Sequence, residues 1–199
     1  FEPSIRYLYR RDVLGEDASK PEMLALQEEI RTSERVTGML LNRGEDGRYP
    51  WHAYDKWAGA FWTLLLLTEI GYPPGDQGLI PLRDQTLEWL LSEKHLKNVP
   101  LIDGRWRRCA LQEASIVYAM LKLGIVDDRI TQIIESLLKW QWPDGGWNCD
   151  RIPTAANSSF HETWIPLRAM HAYAQISGDA RAREAAEKAC DVFLSRCLF

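Results

Sequence analysis

The sequence lacks the features that would tie it to nucleic acid, to a bilayer or to an oxidising compartment. Its 24 basic residues against 28 acidic ones leave a net charge of −4, spread along the chain without the basic stripe that nucleic-acid binding requires. The longest apolar run, Phe61 to Leu67 with its flanks, falls short of the roughly 18 consecutive apolar residues of a membrane span, so the chain reads as soluble. The four cysteines, Cys109, Cys149, Cys190 and Cys197, are irregularly spaced and contain no Cys-x-x-Cys pair. That argues against a disulfide framework and for reduced thiols, hence the cytoplasm. The first residue is Phe1, with no signal-like segment after it, and a targeting segment ahead of it is left open. At 199 residues and 46% hydrophobic content, one core suffices, and residues 1–199 read as a single domain.

What the sequence does have is a repeat. Apolar helical segments end in glycine at Gly71, Gly124 and Gly178, 53 residues apart (71 to 124) and then 54 (124 to 178). Each glycine suits the position after a helix, where a left-handed backbone carries no Cβ penalty. Upstream of each lies a Gly-x-aromatic element: Gly47-Arg48-Tyr49, Gly104-Arg105-Trp106 and Gly145-Gly146-Trp147.

The repeating unit is therefore helix, Gly-x-aromatic loop, helix, glycine stop. Apolar periodicity and start signals predict helices near 22–41, 57–70, 81–94, 111–123, 129–140, 160–176 and 181–197, and no segment reads as a strand. Pro21, Pro81 and the capping box Ser159-x-x-Glu162 mark starts, while Pro166 lies inside a predicted helix. A helix pair of this kind cannot bury its apolar face alone, so neighbouring pairs must stack. The end, Cys190 to Phe199, matches the first helix of a fourth unit. The chain thus reads as a fragment of a longer one, its ring completed by a missing C-terminal half or by a second copy.

The third unit, Leu137-Leu138-Lys139-Trp140-Gln141-Trp142-Pro143-Asp144-Gly145-Gly146-Trp147, resembles the Gln…Gly-x-Trp (QW-type) repeat of squalene and oxidosqualene cyclases and protein prenyltransferase β-subunits. The other two units lack the glutamine but keep its position and helix context, so the resemblance covers most of residues 20–199. The chain is also similar to small bacterial proteins carrying prenyltransferase/squalene-oxidase-type repeats. The resemblance implies an all-α fold, an α/α toroid present as an incomplete ring or arc of about three and a half helix-pair repeats. It further implies a terpenoid-cyclase or prenyltransferase-like protein binding an apolar isoprenoid-type small molecule.

The chemistry that would accompany such a fold is only partly present. Cyclases of this kind protonate an alkene with an Asp-x-Asp-Asp motif, because so weak a base demands a strong, preorganised acid; the motif is absent. Asp127-Asp128 reads as a turn and helix cap, and no Asp-Asp-x-x-Asp diphosphate–magnesium motif occurs. Prenyltransferases hold zinc with Asp-x-Cys and a distant His. The nearest counterpart here is Asn148-Cys149-Asp150 with His161, which adjacent repeats bring toward Cys109, giving a candidate zinc trio of Cys109, Cys149 and His161. Asp150, His52 or water would supply a fourth ligand, and ordinary thiol packing is the competing reading.

Asp55, Glu113 and Glu162 stand at the starts of second helices and are candidate acids or bases if desolvated, although helix capping accounts equally for Asp55 and Glu162. His171, on the same helix as Tyr173, reads as a packing residue. Trp51, Trp57 and Trp62 cluster at the first such helix. With Tyr173 they either line an aromatic cavity for an apolar ligand or glue repeats together. Two further function classes stay open: a repeat scaffold presenting its concave face to a protein, and a carbohydrate-active toroid with stacking tryptophans and a carboxyl pair about 5 to 9.5 Å apart.

Overall fold

The computed structural model describes residues 2–97 and 99–196. Helix accounts for 58% of the chain, and among the described residues strand is limited to two residue pairs, which makes the fold class all-α. Among the described residues no helix is long and apolar enough to cross a membrane. The helices are α1 (Pro3–Leu8), α2 (Pro21–Arg31), α3 (Glu34–Leu40), α4 (Ala60–Glu69), α5 (Ile80–Leu90), α6 (Glu93–Leu96), α7 (Leu111–Lys122), α8 (Ile130–Trp140), α9 (Phe160–Ser177) and α10 (Ala180–Leu194). Contacts gather the chain into two compact units, one of Phe1–Thr86 with Lys122–Ile125, the other of Leu87–Leu121 with Val126–Phe199.

In the first unit, α2 buries Met23, Leu26 and Ile30, and α4 buries Phe61, Leu64 and Leu67, each set at the three-to-four-residue spacing of one helix face. The helix expected over 22–41 is two. Its chain breaks at Thr32, and the Ser33 hydroxyl caps a new start by accepting the Val36 N–H. The helix expected from residue 57 begins at Ala60. Helix α1 and the π-helical turn Tyr9–Val13 were not expected. Tyr7 of α1 lies so close to Gly71 that a Cβ there would come within 2.5 Å of its ring.

In the second unit, Ile130, Ile133, Ile134, Leu137 and Trp140 form the buried stripe of α8. Burying such a side chain stabilises by roughly 1.5–3 kcal/mol. Helices α9 and α10 form an antiparallel hairpin around Gly178, whose φ of 73° closes α9, and Asp179, whose carboxylate accepts the N–H groups of Arg181 and Ala182. Helix α10 faces inward with alanines, Ala182, Ala185, Ala186 and Ala189, which let its backbone approach closely. Pro166 sits inside α9 without ending it. The helix expected over 81–94 stops at Leu90 and is followed by α6, capped by Ser92. The end of the helix expected to 197 lies outside the described residues, where Cys197 falls.

The Gly-x-aromatic loops are built to one plan in two of the three sequence repeats. In the third, Trp142 donates its N–H to the Gly146 carbonyl at 2.8 Å and Gly145 donates to Trp142 at 2.9 Å. The fully buried Trp147 reaches back ten residues to place its indole N–H on the Leu137 carbonyl at 3.0 Å. In the first, Gly44 donates to Arg48 at 2.7 Å and Gly47 to Gly44 at 2.9 Å. There the Tyr49 hydroxyl likewise donates ten residues back, to the Met39 carbonyl. The middle loop departs from the plan and from the expectation of no strands: Leu101–Ile102 (β1) pairs antiparallel with Arg105–Trp106 (β2). Asp103 and Gly104 both adopt positive φ, 48° and 69°, as a two-residue hairpin turn demands.

Candidate functional site

Behind that hairpin the second unit assembles a cluster of ionisable side chains. β2 runs into Arg107, which is 2% exposed and donates to the carbonyls of Asp150 and Ala155 at 3.1 and 3.0 Å. Its guanidinium lies 4.5 Å from the Trp142 ring centroid. Arg107 thereby fixes the 150–155 segment against the start of α7. The next residue, Arg108, pairs with the buried Glu113, one turn into α7, and His95 Nε2 stands 3.1 Å from the same Glu113 oxygen. His95 in turn packs edge-on against Trp89, ring centroids 4.8 Å apart.

Cys109, the residue after Arg108, faces α9. Its thiol and that of Cys149 both donate to one oxygen of Glu162, each at 3.4 Å. Burial and then the Glu162 charge push the Cys109 thiol up to about 12, and the same causes raise that of Cys149. The second carboxylate oxygens of Glu113 and Glu162 are buried with no hydrogen-bond partner among the described residues. Glu113 is 2% exposed and Glu162 7%.

This arrangement bears on two expectations. Ser159 caps α9 by accepting the Glu162 N–H at 3.4 Å, but Ser159 gives its own N–H to the Trp147 carbonyl, so the Glu162 side chain is turned to the thiols and does not complete a capping box. Of the trio Cys109, Cys149 and His161, the two thiols meet at one Glu162 oxygen, and His161 is exposed on the neighbouring position of α9. Among the described residues no group of three or more His, Cys, Asp or Glu is placed to hold a metal ion as it stands. Asp150 is occupied in a local turn, its carboxylate accepting the Ile152 N–H. His52 belongs to the first unit. His171 and Tyr173 lie elsewhere on α9, and His171 borders a shallow groove with Arg183, Glu187 and Cys190 of α10.

The first unit carries an aromatic cluster ahead of α4. Trp51 stacks on Tyr49, with centroids 5.2 Å apart and planes within 9°, and its indole N–H binds the Ala58 carbonyl, so it holds the 52–58 loop. Trp57 does not begin the helix. It sits in the loop at φ 69°, 63% exposed, and leans on Trp62 at 4.6 Å between centroids. Tyr54 and Phe61 abut Trp62 at 5.5 and 5.2 Å, and the Lys56 ammonium lies 5.6 Å from the Trp57 ring centroid. The Trp62 indole N–H is buried without a partner among the described residues. Asp55 is not the expected cap: the residue before α4 is Gly59, and Asp55 contributes its backbone carbonyl to the N–H groups of Ala58 and Gly59.

Comparison with family models, with curated proteins and with solved structures yields no match.

Proposed function

We propose that this chain is an arc of an α/α toroid of the terpenoid cyclase/prenyltransferase kind, and that it binds an apolar isoprenoid-type ligand on the Tyr54–Trp57–Trp62 face. The observation that carries the reading is Trp57, a bulky residue at φ 69° whose ring is left 63% exposed. A left-handed backbone costs a non-glycine residue about 1–2 kcal/mol. Exposing an indole forgoes most of the roughly 1.5–3 kcal/mol that burying a large apolar side chain returns. Unfavourable local choices of this sort cluster where a ligand is held.

The tilted Trp57 and Trp62 rings, with Tyr54 beside them, present apolar faces to a flexible hydrocarbon chain. The repeated loop around Tyr49 and Trp147 supports the toroid assignment, and free thiols at Cys109, Cys149 and Cys190 fit a reducing compartment. The role is binding: the chain contains no Asp-x-Asp-Asp acid.

Equilibrium dialysis against farnesol tests the reading. Trp57→Ala is expected to weaken binding by about tenfold or more, equivalent to about 1.4 kcal/mol, whereas Trp164→Ala, 51% exposed on α9 of the other unit, leaves it unchanged. Binding of an oligosaccharide in place of farnesol would replace this reading with the carbohydrate-active one. Binding of neither would leave the repeat scaffold.

A further inference from the structure

We propose that the outer face of the α9–α10 hairpin is a dimer surface, on which a second copy of this chain seats its own hairpin in antiparallel register. The sequence of α10 carries two stripes. One is the buried alanine set, and the other is Arg183, Glu187, Cys190 and Leu194, all exposed and spaced four, three and four residues apart. Such spacing is that of a seam against which a further helix packs. Leu167, His171 and Gln175 of α9 stand beside Arg183, Glu187 and Cys190 and enclose with them a groove of about 330 Å³. Leu194, 54% exposed, extends the stripe beyond it.

Charge identifies the occupant. The other charges along α10 are spent within the chain: Arg181 on Glu135 and Asp179, and Lys188 on Glu184. Arg183 and Glu187, the pair that lines the groove, have no ion-pair partner among the described residues. They stand four residues apart with the base nearer the N-terminus, which is the less favourable order for pairing within a helix. Opposite charges left open on one stripe make that stripe complementary to itself when a copy lies antiparallel. Arg183 then faces Glu187 of the second copy and Glu187 faces its Arg183, giving two equivalent ion pairs about one two-fold axis.

The register follows from that pairing. The axis crosses α10 at the level of Ala185, and the two hairpins form an intermolecular four-helix arrangement. Exposed ion pairs contribute little affinity and mainly set orientation, so the attraction comes from covering Leu167, Cys190 and Leu194. Cys190 of the two copies is ten residues of helix rise apart, about 15 Å, which is beyond the reach of a disulfide.

The test is sedimentation velocity of the reduced full chain over a concentration series. A monomer–dimer equilibrium is expected for the wild type. Arg183→Glu and Glu187→Arg each set like charges against each other across the axis, and each alone is expected to weaken self-association by about tenfold or more. Mixed in equal amounts, the two variants are expected to associate as a heterodimer, because glutamates at both positions of one chain then meet arginines at both positions of the other. Both substitutions are at exposed positions, and recovery on mixing requires folded chains. A wild type that stays monomeric at every concentration overturns the proposal and leaves the face to a different partner. Dimers unaffected by either variant, or no association on mixing, overturn it by placing the contact elsewhere. Formation of a Cys190–Cys190 disulfide on mild oxidation of the dimer overturns the register. The readout is mass, and the farnesol face belongs to the other unit, so failure here is distinguishable from failure of farnesol binding.

Discussion

The side-chain amide of Gln141 donates to the carbonyl of Ala185 at 2.8 Å and at the same time to the carbonyl of Gly145, also at 2.8 Å. One residue after α8 thus ties the loop it opens to the middle of α10, and Gln141 acts as a strap between those two helices. Trp147 fastens the same loop from inside, with its ring fully buried and its backbone N–H on Thr163 Oγ1 at 3.1 Å.

From that strap follows an ordering of stabilities. Gln141→Ala removes two hydrogen bonds and is expected to cost about 1–3 kcal/mol. Gln141→Glu, nearly the same shape, is expected to cost more at pH 7, because it sets a carboxylate against two carbonyl oxygens that need a donor. Trp147→Ala leaves a cavity and costs about 3–5 kcal/mol. Urea unfolding at neutral pH checks the order, and a Gln141→Glu protein as stable as Gln141→Ala would contradict the strap.

The glycines divide by what surrounds them. A Cβ on Gly145 would lie 2.4 Å from the Lys188 carbonyl oxygen of α10, at φ 96°, whereas a Cβ on Gly178, at φ 73°, meets nothing within 4 Å. Gly178→Ala is expected to cost only the left-handed backbone, about 1 kcal/mol. Gly145→Ala adds a backbone clash and costs about 3 kcal/mol. Equal midpoints for the two variants in a denaturant titration would refute the distinction.

Local signals in the sequence carry the helix ends and the loops, because those depend on backbone conformations that only certain residues tolerate. Gly71, Gly124 and Gly178 all have positive φ, as their positions after apolar helices imply. The break before α3 is hidden, since apolar periodicity runs on through Val36 and Ser33 gives only a weak cap signal. The hairpin at 101–106 is signalled by Asp103-Gly104, a turn pair that the shared Gly-x-aromatic pattern masks. The thiol–carboxyl cluster is only half legible. Cys109 and Glu162 are 53 residues apart in sequence, and the tertiary fold alone decides that α9 presents Glu162 to the thiols and leaves His161 in solvent.

Acid should loosen the first unit through Asp76. Burial raises its carboxyl, but the Tyr72 hydroxyl, the Gly78 N–H and the charges of Arg31 and Arg43 outweigh that and hold it below the usual aspartate range. A group depressed in the folded state contributes stability that is present above its unfolded pKa, about 3.9, and is lost as pH falls through the lower folded value. Asp76→Asn is therefore expected to lower the thermal midpoint at pH 7 and to flatten its decline below pH about 4. An unaltered acid limb in the variant would remove Asp76 from the account.

The loop at Trp57 sets stability against function. Its backbone is left-handed at φ 69° while its ring, more than half exposed, leans on Trp62. Trp57→Ala and Trp57→Gly both remove the ring, so both are expected to lose farnesol binding. They differ in the backbone. Alanine keeps the left-handed penalty of about 1–2 kcal/mol, and glycine relieves it while giving back part of the gain, about 0.4–1 kcal/mol, to a freer unfolded chain. Trp57→Gly is thus expected to unfold about 1 kcal/mol later than Trp57→Ala in urea. That outcome, with binding lost in both, would mean that strain is kept in the loop to hold the indole outward for a ligand. Equal stabilities would mean that the loop relaxes once the ring is gone, leaving the ring's own packing to hold the conformation.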